Sequence, residues 1–363
     1  MSEIKQHWQK IELNEILSIS SKKFNPISNN ENKKCVELEH LSQETGKLLG
    51  YTNSSEQQSI KNSFEEGQIL FGKLRPYLKK FWKAEFEGVC SSEIWVMNGK
   101  KVKNDFLFYL VQTEKFNQIA NVSSGSKMPR ADWNYMSEIP FDIPPLKEQE
   151  KIAEILTTWD EAITKQTELL RAKELQKKAL MQKLLSGEVR FSGFNDVWQE
   201  IRLDKLVFFQ EGPGVRNTQY RKSGVKLLNV GNLNNNILNL SSTETYISEE
   251  EAYGVYKHFL VDEGDLLISC SGINSESFKK KIAFVKKEHL PLCMNTSTMR
   301  FKNLKNKLLL EYLYFFFQTL FFEKQVFGVL TGSAQFNFGP THIKWLKIKL
   351  PSLPEQQKIA EVL

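Results

Sequence analysis

The most regular pattern of hydrophobic and polar positions lies in the middle of the chain, between Pro144-Pro145 and Ser186-Gly187. Apolar positions recur there at alternating spacings of four and three residues, which is the spacing of a coiled-coil seam. The prolines and the glycine stand where helix start and stop signals are expected. The pattern predicts one long helix over residues 147–187, in which residues 147–185 would span about 58 Å.

Two series of positions, each repeating every seven residues, form this seam. The residues that we assign to a partner interface are Ile152, Leu156, Trp159, Ile163, Gln166, Leu170, Leu180 and Leu184. An amphipathic helix lying on one domain is the alternative explanation. Because the predicted length exceeds what one domain of this size needs, we favour a spacer that packs against another helix.

Shorter apolar runs flank the predicted helix on both sides. Residues 67–71, 89–97, 265–270 and 281–285 resemble strands, whereas residues 106–111 and 308–317 have the length of helices. The most apolar stretch, residues 308–322, contains Glu311 and Gln318 and is shorter than the roughly 20 residues of a membrane helix, so a buried helix is expected. The predicted fold class is mixed α/β (α+β).

Four motifs occur twice, in the same order, in the two halves of the chain. Residues 8–13 (WQKIEL) recur at 198–203 (WQEIRL), and residues 66–70 (EGQIL) recur at 263–267 (EGDLL). Residues 124–126 (SGS) recur at 331–333 (TGS), and residues 144–156 (PPLKEQEKIAEIL) recur at 351–363 (PSLPEQQKIAEVL). The repeat unit is longer than a solenoid repeat and long enough for a domain with its own core.

The repeats predict a first domain at residues 1–146, the long helix at 147–187, a second domain at 188–353 and the first turns of a second such helix at 354–363. Between the motifs the two halves share little, as in residues 14–60 and 204–258. Neutral drift in loops is one explanation. The other is that the two domains perform the same task on different targets.

Composition permits a nucleic-acid partner without requiring one. The chain has 49 Lys and Arg against 43 Asp and Glu, a net charge of +6. Its four cysteines form no C-x-x-C pair, so neither a disulfide framework nor a zinc site is expected. The N-terminus lacks the apolar core of a signal peptide, and the cytoplasm is the expected location.

Motifs for catalysis are missing from the sequence. It contains no G-x-x-x-x-G-K-[ST], no G-x-G-x-x-G, no [ND]-P-P-[FY] and no Pro-Asp dipeptide, and its five histidines form no H-x-x-x-H pair. We therefore expect no catalytic residue, metal or cofactor in this chain. The alternatives are a coiled-coil assembly protein and a stand-alone DNA nuclease or methyltransferase.

The order of three strings resembles the specificity subunit of type I restriction-modification enzymes. They are EGQILFGKLRPYLKK at 66–80, SSGS at 123–126 and IPPLKEQEKIAEIL at 143–156, with further matches at 179–191 and 351–360. The resemblance covers essentially the whole chain. It implies two target-recognition domains, each reading one half of a split, asymmetric site in double-stranded DNA. The long helices of the family pack antiparallel, set the separation of the domains and dock methyltransferase (modification) subunits.

The resemblance also implies what the partners supply. The modification subunits use S-adenosylmethionine, and restriction subunits add ATP-driven activity, so S-adenosylmethionine, ATP and Mg are expected only in partner subunits. The sequence departs from the family pattern where the second helix stops after its first turns. Self-dimerisation or pairing with a half-length subunit through the spacer helix would complete the coil.

DNA-binding candidates in the first domain are basic, aromatic and small residues. A Gly-Ser turn lets backbone N–H groups approach phosphates, which Lys and Arg neutralise, and Arg also binds guanine. A framework role for the R-P-Y-L motif is the alternative. The candidates are Lys73, Arg75, Tyr77, Lys79, Lys80, Ser124, Gly125, Ser126, Lys127 and Arg130.

Amides are more frequent at the equivalent positions of the second domain, and Asn and Gln suit bidentate recognition of adenine. For the asparagine-rich residues 232–236 we favour a plain turn. The candidates are Arg216, Arg221, Ser271, Asn274, Lys279, Lys280, Gly332, Ser333, Gln335 and Asn337.

Overall fold

The computed structural model describes residues 7–29, 31–122, 128–241, 243–271, 278–296, 298–304, 306–329 and 338–363. The chain divides into two compact units, unit 1 (Met1–Glu168) and unit 2 (Leu169–Leu363). None of the helices built from the described residues is long and apolar enough to cross a membrane.

Unit 1 combines short strands with helices that cluster towards its C-terminal side. Its strands are β1 (Gln9–Glu12), β2 (Leu17–Ile19), β3 (Lys23–Phe24), β4 (Lys34–Val36), β5 (Thr52–Asn53), β6 (Lys61–Phe64), β7 (Ile69–Gly72), β8 (Phe81–Lys83), β9 (Gly88–Cys90), β10 (Ile94–Gly99) and β11 (Pro140–Ile143). Its helices are α1 (Leu13–Ile16), α2 (Asn104–Leu110), α3 (Glu114–Ala120), α4 (Trp133–Ser137) and the N-terminal part of α5 (Leu146–Ser186).

Unit 2 begins with the C-terminal part of α5. Its strands are β12 (Gln199–Arg202), β13 (Val207–Glu211), β14 (Val225–Leu227), β15 (Leu233–Asn234), β16 (Ile237–Leu238), β17 (Tyr246–Ile247), β18 (Leu266–Ser269), β19 (Ile282–Phe284), β20 (Leu292–Cys293), β21 (Thr298–Asn303) and β22 (Lys347–Leu350). Its remaining helices are α6 (Glu249–Tyr253), α7 (Leu310–Phe316), α8 (Leu320–Val329), α9 (Pro340–Ile343) and α10 (Leu353–Val362).

The two units share one framework, and the mixed α/β fold class is confirmed. An antiparallel sheet has the strand order β2-β10-β7-β8 in unit 1 and β13-β21-β18-β19 in unit 2. The first and last strands of each unit also pair with each other, as β1 with β11 and β12 with β22. In both units the tryptophan of the repeated WQ motif directly precedes the first of these strands, and the glutamine begins it. The duplicated sequence therefore corresponds to duplicated structure.

The segments that diverge in sequence also diverge in structure. Unit 1 has a sheet of order β3-β6-β9-β4-β5, whereas unit 2 has one of order β17-β14-β20 and a separate β15-β16 hairpin. Asn235 and Asn236 form the two-residue turn of this hairpin with φ of 50° and 61°. Asparagine tolerates the left-handed region that such a turn requires. A turn is thus present at Asn235-Asn236, and the preference for a turn without a role in DNA binding stays a prediction.

The long helix is confirmed as α5, with bounds one residue earlier at each end than predicted. It ends at Gly187, whose φ of 77° is the left-handed conformation of a helix C-terminus. The N-terminal end contributes Ile152 to the edge of the unit 1 core, and the other end contributes Met181, Leu184 and Leu185 to the core of unit 2.

The apolar stretch at residues 308–322 is buried as expected, but the expectation of one helix is wrong. The chain forms α7 and α8, with Thr319 between them. The Thr319 hydroxyl donates to the carbonyl of Phe316 and accepts from the amide of Phe322 at 3.1 Å. The threonine hydroxyl thus bonds to a carbonyl at the end of α7 and to an amide at the start of α8, as capping side chains do. These two bonds take the place of the backbone hydrogen bonds of a continuous helix.

All four cysteines are buried free thiols. Burial raises the pKa of Cys35 and of Cys293 to about 12. Thiols with such pKa values are poorly nucleophilic at neutral pH. The four cysteines therefore act as small apolar residues of the cores.

Candidate nucleic-acid interface

The basic cluster of unit 1 follows the end of β7, where two chain segments are held together by backbone hydrogen bonds. The amide of Arg75 donates to the carbonyl of Pro129 at 2.8 Å, and the amide of Ala131 donates to the carbonyl of Lys73 at 2.9 Å. Arg75 has φ 53° and ψ 60°, a left-handed conformation that is uncommon for arginine. Uncommon backbone conformations cluster at functional positions, which makes this turn a candidate site.

Three predicted DNA-binding residues of this cluster carry no carboxylate partner among the described residues. Arg75 and Tyr77 are exposed, and Lys73 is half-buried. Their side chains are therefore available to a ligand. A free guanidinium, a free ammonium and an exposed phenol beside one turn are suited to phosphate and base contacts.

The other cations of the cluster are partly neutralised within unit 1. Lys79 pairs with Glu44 at 3.2 Å, and Arg130 donates from Nε and Nη2 to Glu93 at 3.0 and 3.2 Å. The ammonium of Lys80 donates to the carbonyl of Leu38 at 2.6 Å. These bonds fix the side chains against the domain, so Lys73 and Arg75 are the stronger candidates for direct contact with DNA.

The candidates of unit 2 lie in two groups. Arg216 is exposed, and Arg221 donates to the carbonyls of Thr218 and Tyr220 at 2.9 and 3.0 Å. Lys280 is exposed as well, but Lys279 forms an ion pair with Glu323 on α8. This pair makes Lys279 a structural residue in the described part of the chain.

Most of the remaining candidates belong to the Gly-Ser motifs and the residues that follow β18. Ser271 is half-buried and comes directly before residues 272–277, which lie outside the described part of the chain. Ser124, Gly125, Ser126, Lys127, Asn274, Gly332, Ser333, Gln335 and Asn337 also lie outside the described residues. Their predicted roles in binding DNA stay predictions.

One backbone contact recurs at equivalent described residues of the two units. The amide of Phe338 donates to the carbonyl of Cys270 at 2.8 Å, and the corresponding bond in unit 1 joins Ala131 to Lys73. Each bond ties the residue after the core strand (β18 or β7) to the segment that follows the Gly-Ser motif. The sequence motifs alone gave no indication of this contact, since the bonded residue types differ between the copies.

The predicted interface residues of α5 separate into buried and exposed groups. Leu184 is buried in the core of unit 2, and Ile152 packs against the core of unit 1. The others are exposed in the units to which they belong, with Trp159 at 64% and Ile163 at 61% of their full accessibility; they are Leu156, Trp159, Ile163, Gln166, Leu170 and Leu180. The described residues leave this apolar stripe uncovered.

Ile163 also lines a cleft of about 930 Å³ in unit 1, where α5 faces α2. The hydroxyl of Tyr109 on α2 donates to Asp160 at 2.9 Å and lies 3.0 Å from the hydroxyl of Thr157. Burial is the main cause that raises the pKa of Tyr109 to about 12. The tyrosine therefore stays protonated and ties the first half of α5 to unit 1.

The repeated Glu-Gln pair has a role that the sequence analysis missed. Gln149 Oε1 accepts from the amide of Lys103 at 3.1 Å, and its Nε2 donates to the carbonyls of Lys101 and Pro144. Gln356 makes the same three kinds of bond in unit 2, to the residues just before α7 and to Pro351. Both glutamines are buried. The repetition of the pair in an otherwise polar helix start was the available indication.

The glutamate of each pair accepts a bond from the repeated tryptophan. Trp8 Nε1 donates to Glu148 at 3.0 Å, and Trp198 Nε1 donates to Glu355 at 2.9 Å. The first strand of each unit is thereby joined to the helix that follows its last strand. The duplicated motifs thus form hydrogen bonds that hold the framework of each unit together, while the diverged segments form the surfaces that differ between the units.

The fold defines a class of protein: two domains built on one framework, with a long helix between them in the chain. The family model "Type I restriction modification DNA specificity domain" matches residues 5–172 and residues 195–363. The chain belongs to this family and contains its domain twice. Among the described residues no group of three or more His, Cys, Asp and Glu side chains is arranged to hold a metal ion.

Two relatives are similar to this chain in sequence. The type I restriction enzyme EcoDI specificity subunit of Escherichia coli is 32% identical over 194 residues, which are 51% of this chain and 43% of that protein. The type I restriction enzyme MjaVIII specificity subunit of Methanocaldococcus jannaschii is 26% identical over 293 residues, 76% of this chain and 67% of that protein. The matched region is therefore less than half of the first relative.

The solved structures show the same fold at low sequence identity. A chain from a study of complex assembly and conformational transition of the type I R-M system has a TM-score of 0.65 at 18% identity, with 98% of this chain and 89% of that chain covered. The HsdS subunit from Thermoanaerobacter tengcongensis has a TM-score of 0.55 at 18% identity, with 98% and 88% covered.

Proposed function

We propose that this chain is the DNA-reading, non-catalytic subunit of a type I restriction-modification system. Each recognition domain reads one half of a split, asymmetric site in double-stranded DNA. The observation that carries the proposal is the pair of equivalent backbone clamps, Ala131 to Lys73 and Phe338 to Cys270, which hold differing loops at one position of a shared framework. Membership of the DNA specificity family supports it.

Phosphate contacts and base contacts divide between residue types in this proposal. Lys73 and Tyr77 contact the phosphate backbone, and Arg75 contacts either a phosphate or the major-groove edge of a guanine. The second domain has fewer free cations at the matching clamp, because Cys270 stands where unit 1 has Lys73. We therefore expect the second domain to depend more on amide contacts with bases.

An electrophoretic shift series with double-stranded DNA at several salt concentrations tests the proposed function. DNA binding, with or without the modification subunit, is expected to weaken steeply as salt rises, because each neutralised phosphate releases counterions. The absence of binding even with the modification subunit would support an assembly protein instead. Methyl transfer by the isolated chain would support the enzyme alternative.

Removing Lys73 and Arg75, the cations beside the end of β7 for which the described residues offer no carboxylate partner, is expected to change the salt dependence of DNA binding by a predictable amount. In a Lys73→Ala, Arg75→Ala variant, the slope of log K against log salt should fall in magnitude by roughly two if Arg75 contacts a phosphate, and by roughly one if it contacts a guanine. Lys10→Ala removes an exposed charge on β1 and should leave the slope unchanged. Equal slopes in all variants would remove these residues from the interface.

The exposed stripe of α5 is the proposed docking surface for modification subunits. We expect the Leu156→Lys, Ile163→Lys, Leu170→Lys variant to lose complex formation with the modification subunit, since burial of an unpaired ammonium is costly. All three side chains are exposed in their own units, so both domains should remain folded. Size-exclusion chromatography with the purified partner measures the complex, and circular dichroism measures folding.

The matched control places three lysines on the opposite face of the same helix, as Thr158→Lys, Ala172→Lys and Gln176→Lys. These positions are also exposed, and the added charge is the same. The control should form the complex normally. If the stripe variant also forms it, α5 is not the docking element; if only self-association is lost, the stripe joins copies of this chain.

The proposal assigns the chemistry to the partners. S-adenosylmethionine would bind in the modification subunits, and ATP and Mg in the restriction subunits, while this chain directs them to the site. The expected location is the cytoplasm. Four buried reduced thiols fit that environment.

A further inference from the structure

One lysine of each unit occupies the same place in the repeated framework. In unit 1 the carbonyl of Lys80 accepts from the amide of Gly72 at 2.8 Å, at the end of the β7–β8 pair. In unit 2 the carbonyl of Lys281 accepts from the amide of Ser269 at 3.0 Å, at the same end of the β18–β19 pair. The residues directly before these two lysines are therefore equivalent, and they are Lys79 and Lys280.

A tight turn from a more distant part of each unit contacts this equivalent lysine through the backbone. The amide of Glu44 donates to the carbonyl of Lys79 at 3.0 Å, and the amide of Asn236 donates to the carbonyl of Lys280 at 2.8 Å. Glu44 and Asn236 both have φ of 61°, in the left-handed region that asparagine adopts more readily than glutamate. The segments that carry these turns share little sequence, yet each places one turn residue on the equivalent lysine.

The side chains of the two turn residues differ in charge. In unit 1 the carboxylate of Glu44 pairs with the ammonium of Lys79 at 3.2 Å, and both side chains are exposed. In unit 2 the side chain of Asn236 is neutral, and its Nδ2 donates to Oε1 of Gln318 at 3.5 Å. The turn residue therefore supplies a counter-ion to the lysine of unit 1 and supplies none to the lysine of unit 2.

We infer that this turn residue, Glu44 in unit 1 and Asn236 in unit 2, sets how strongly the equivalent lysine binds a DNA phosphate. The carboxylate of Glu44 neutralises the ammonium of Lys79 and repels a phosphate that approaches it. Asn236 exerts no such repulsion beside Lys280. Neither turn residue needs to touch DNA, because each acts through its lysine. The inference rests on the proposed function and assigns one means by which the two domains differ in their hold on DNA.

The inference also accounts for a difference between the two backbone clamps. Unit 2 has Cys270 where unit 1 has the cation Lys73, and both residues lie at the sheet end that carries the equivalent lysine. Lys280 is exposed at that end of unit 2. A phosphate contact by Lys280 thus takes the place of the contact that unit 1 makes at its clamp.

A purely structural role explains Glu44 less well. An exposed ion pair contributes little to the free energy of unfolding, so the Glu44–Lys79 pair is not needed to hold the turn. The backbone bond holds it in both units, with glutamate in one and asparagine in the other. The neighbouring Lys279 differs, because its ion pair with Glu323 is more buried and joins two elements of unit 2.

The first experiment measures DNA binding by a Glu44→Gln variant of the full chain, with the modification subunit present, over a series of salt concentrations. Glutamine keeps the size of the side chain and removes its charge. The slope of log K against log salt should steepen by roughly one, because Lys79 gains a phosphate contact. At low salt the affinity should rise roughly two- to fivefold. Glu87→Gln, which removes the same charge from an exposed position, is the matched control and should leave the slope unchanged.

A double-mutant comparison shows whether Glu44 acts through its lysine. In a Lys79→Ala background, Glu44→Gln should change the slope no more than Glu87→Gln does. The effect of Glu44→Gln should also be equal on specific and unrelated DNA, because a phosphate contact carries no base information. A role of Glu44 in the fold of the turn alone predicts neither result.

The second experiment gives unit 2 the side chain of unit 1. Glu44 shows that a glutamate adopts this backbone conformation and reaches the lysine. Asn236→Glu should make the slope shallower by roughly one, Lys280→Ala should do the same, and the two changes together should add nothing further. Asn236→Gln has the length of glutamate without its charge. It is the matched control and should leave the slope unchanged.

The parent chain separates this inference from the proposed function. If the parent binds DNA with steep salt dependence while Glu44→Gln and Asn236→Glu keep its slope, the inference is overturned and the proposed function stands. If the parent does not bind DNA even with the modification subunit, both are overturned. An effect of Glu44→Gln that persists fully without Lys79 would also overturn the inference. Thermal unfolding followed by circular dichroism verifies that each variant is folded.

Discussion

Replacing Gln356 with leucine is expected to lower the free energy of unfolding of unit 2 by about 3 kcal/mol, because three buried backbone groups lose their partner and each costs about 1 kcal/mol or more. Gln356 accepts from the amide of Leu309 at 2.8 Å and donates to the carbonyls of Lys307 and Pro351 at 2.9 Å each. Leucine fills most of the volume but makes none of these bonds. The loss should separate α10 from the start of α7.

The adjacent residue is the control. Gln357 is exposed and bonds only to Glu361 one turn further on, so Gln357→Leu should change stability by no more than about 0.5 kcal/mol. Urea unfolding followed by fluorescence measures both variants. If the two variants lose the same free energy of unfolding, the Glu-Gln pair does not stabilise the framework, and its repetition requires another explanation.

Exchange of the first domain is expected to change the specificity of the chain for one half of its DNA site. A chain in which residues 1–143 are replaced by those of another family member should recognise a new first half-site and keep the second one. The reason is structural: among the described residues, the strands of every sheet of unit 2 and its backbone clamp lie within residues 199–363. A change in both halves would show that the two domains read one shared sequence.

The framework could be predicted from the sequence because it consists of local, repeated patterns. The α5 seam has a heptad period, the WQ and EGxxL motifs mark equivalent strands, and Asn235-Asn236 has the composition of a tight turn. Each of these depends on neighbours within a few residues. Periodicity and turn chemistry are therefore enough to identify them.

The contacts that fasten each unit could not be predicted, since they join residues far apart in sequence. Trp8 and Glu148 are 140 residues apart, and the clamp at Lys73 connects two loops through backbone atoms alone. Periodicity does not report such pairs. The same limit explains why residues 308–322 were expected to form one helix: apolar composition alone does not reveal the hydrogen bonds with which Thr319 divides the stretch.

The ion pairs seen in the structure also determine which predicted cations remain candidates for DNA contact. Lys79, Lys279 and Arg130 differ little from Lys73 and Arg75 as sequence letters, but their ion pairs with Glu44, Glu323 and Glu93 exist only in the folded units. The Lys79–Glu44 pair is exposed, so it contributes little stability and DNA can compete for its cation, whereas the Lys279–Glu323 pair is more buried. Lys73 and Arg75 have no carboxylate partner among the described residues that DNA would have to displace. The prediction on salt dependence is therefore made for these two residues.

Methylation mapping tests the central claim most directly. The chain is expressed with its modification subunit in a host that lacks other DNA methyltransferases, and methylated positions are read across the genome. The predicted result is one asymmetric motif made of two specified halves separated by unspecified bases, with methylation lost when this chain is left out. Methylation without sequence preference, or at an uninterrupted motif that does not depend on this chain, would contradict the claim that its two domains read a split DNA site.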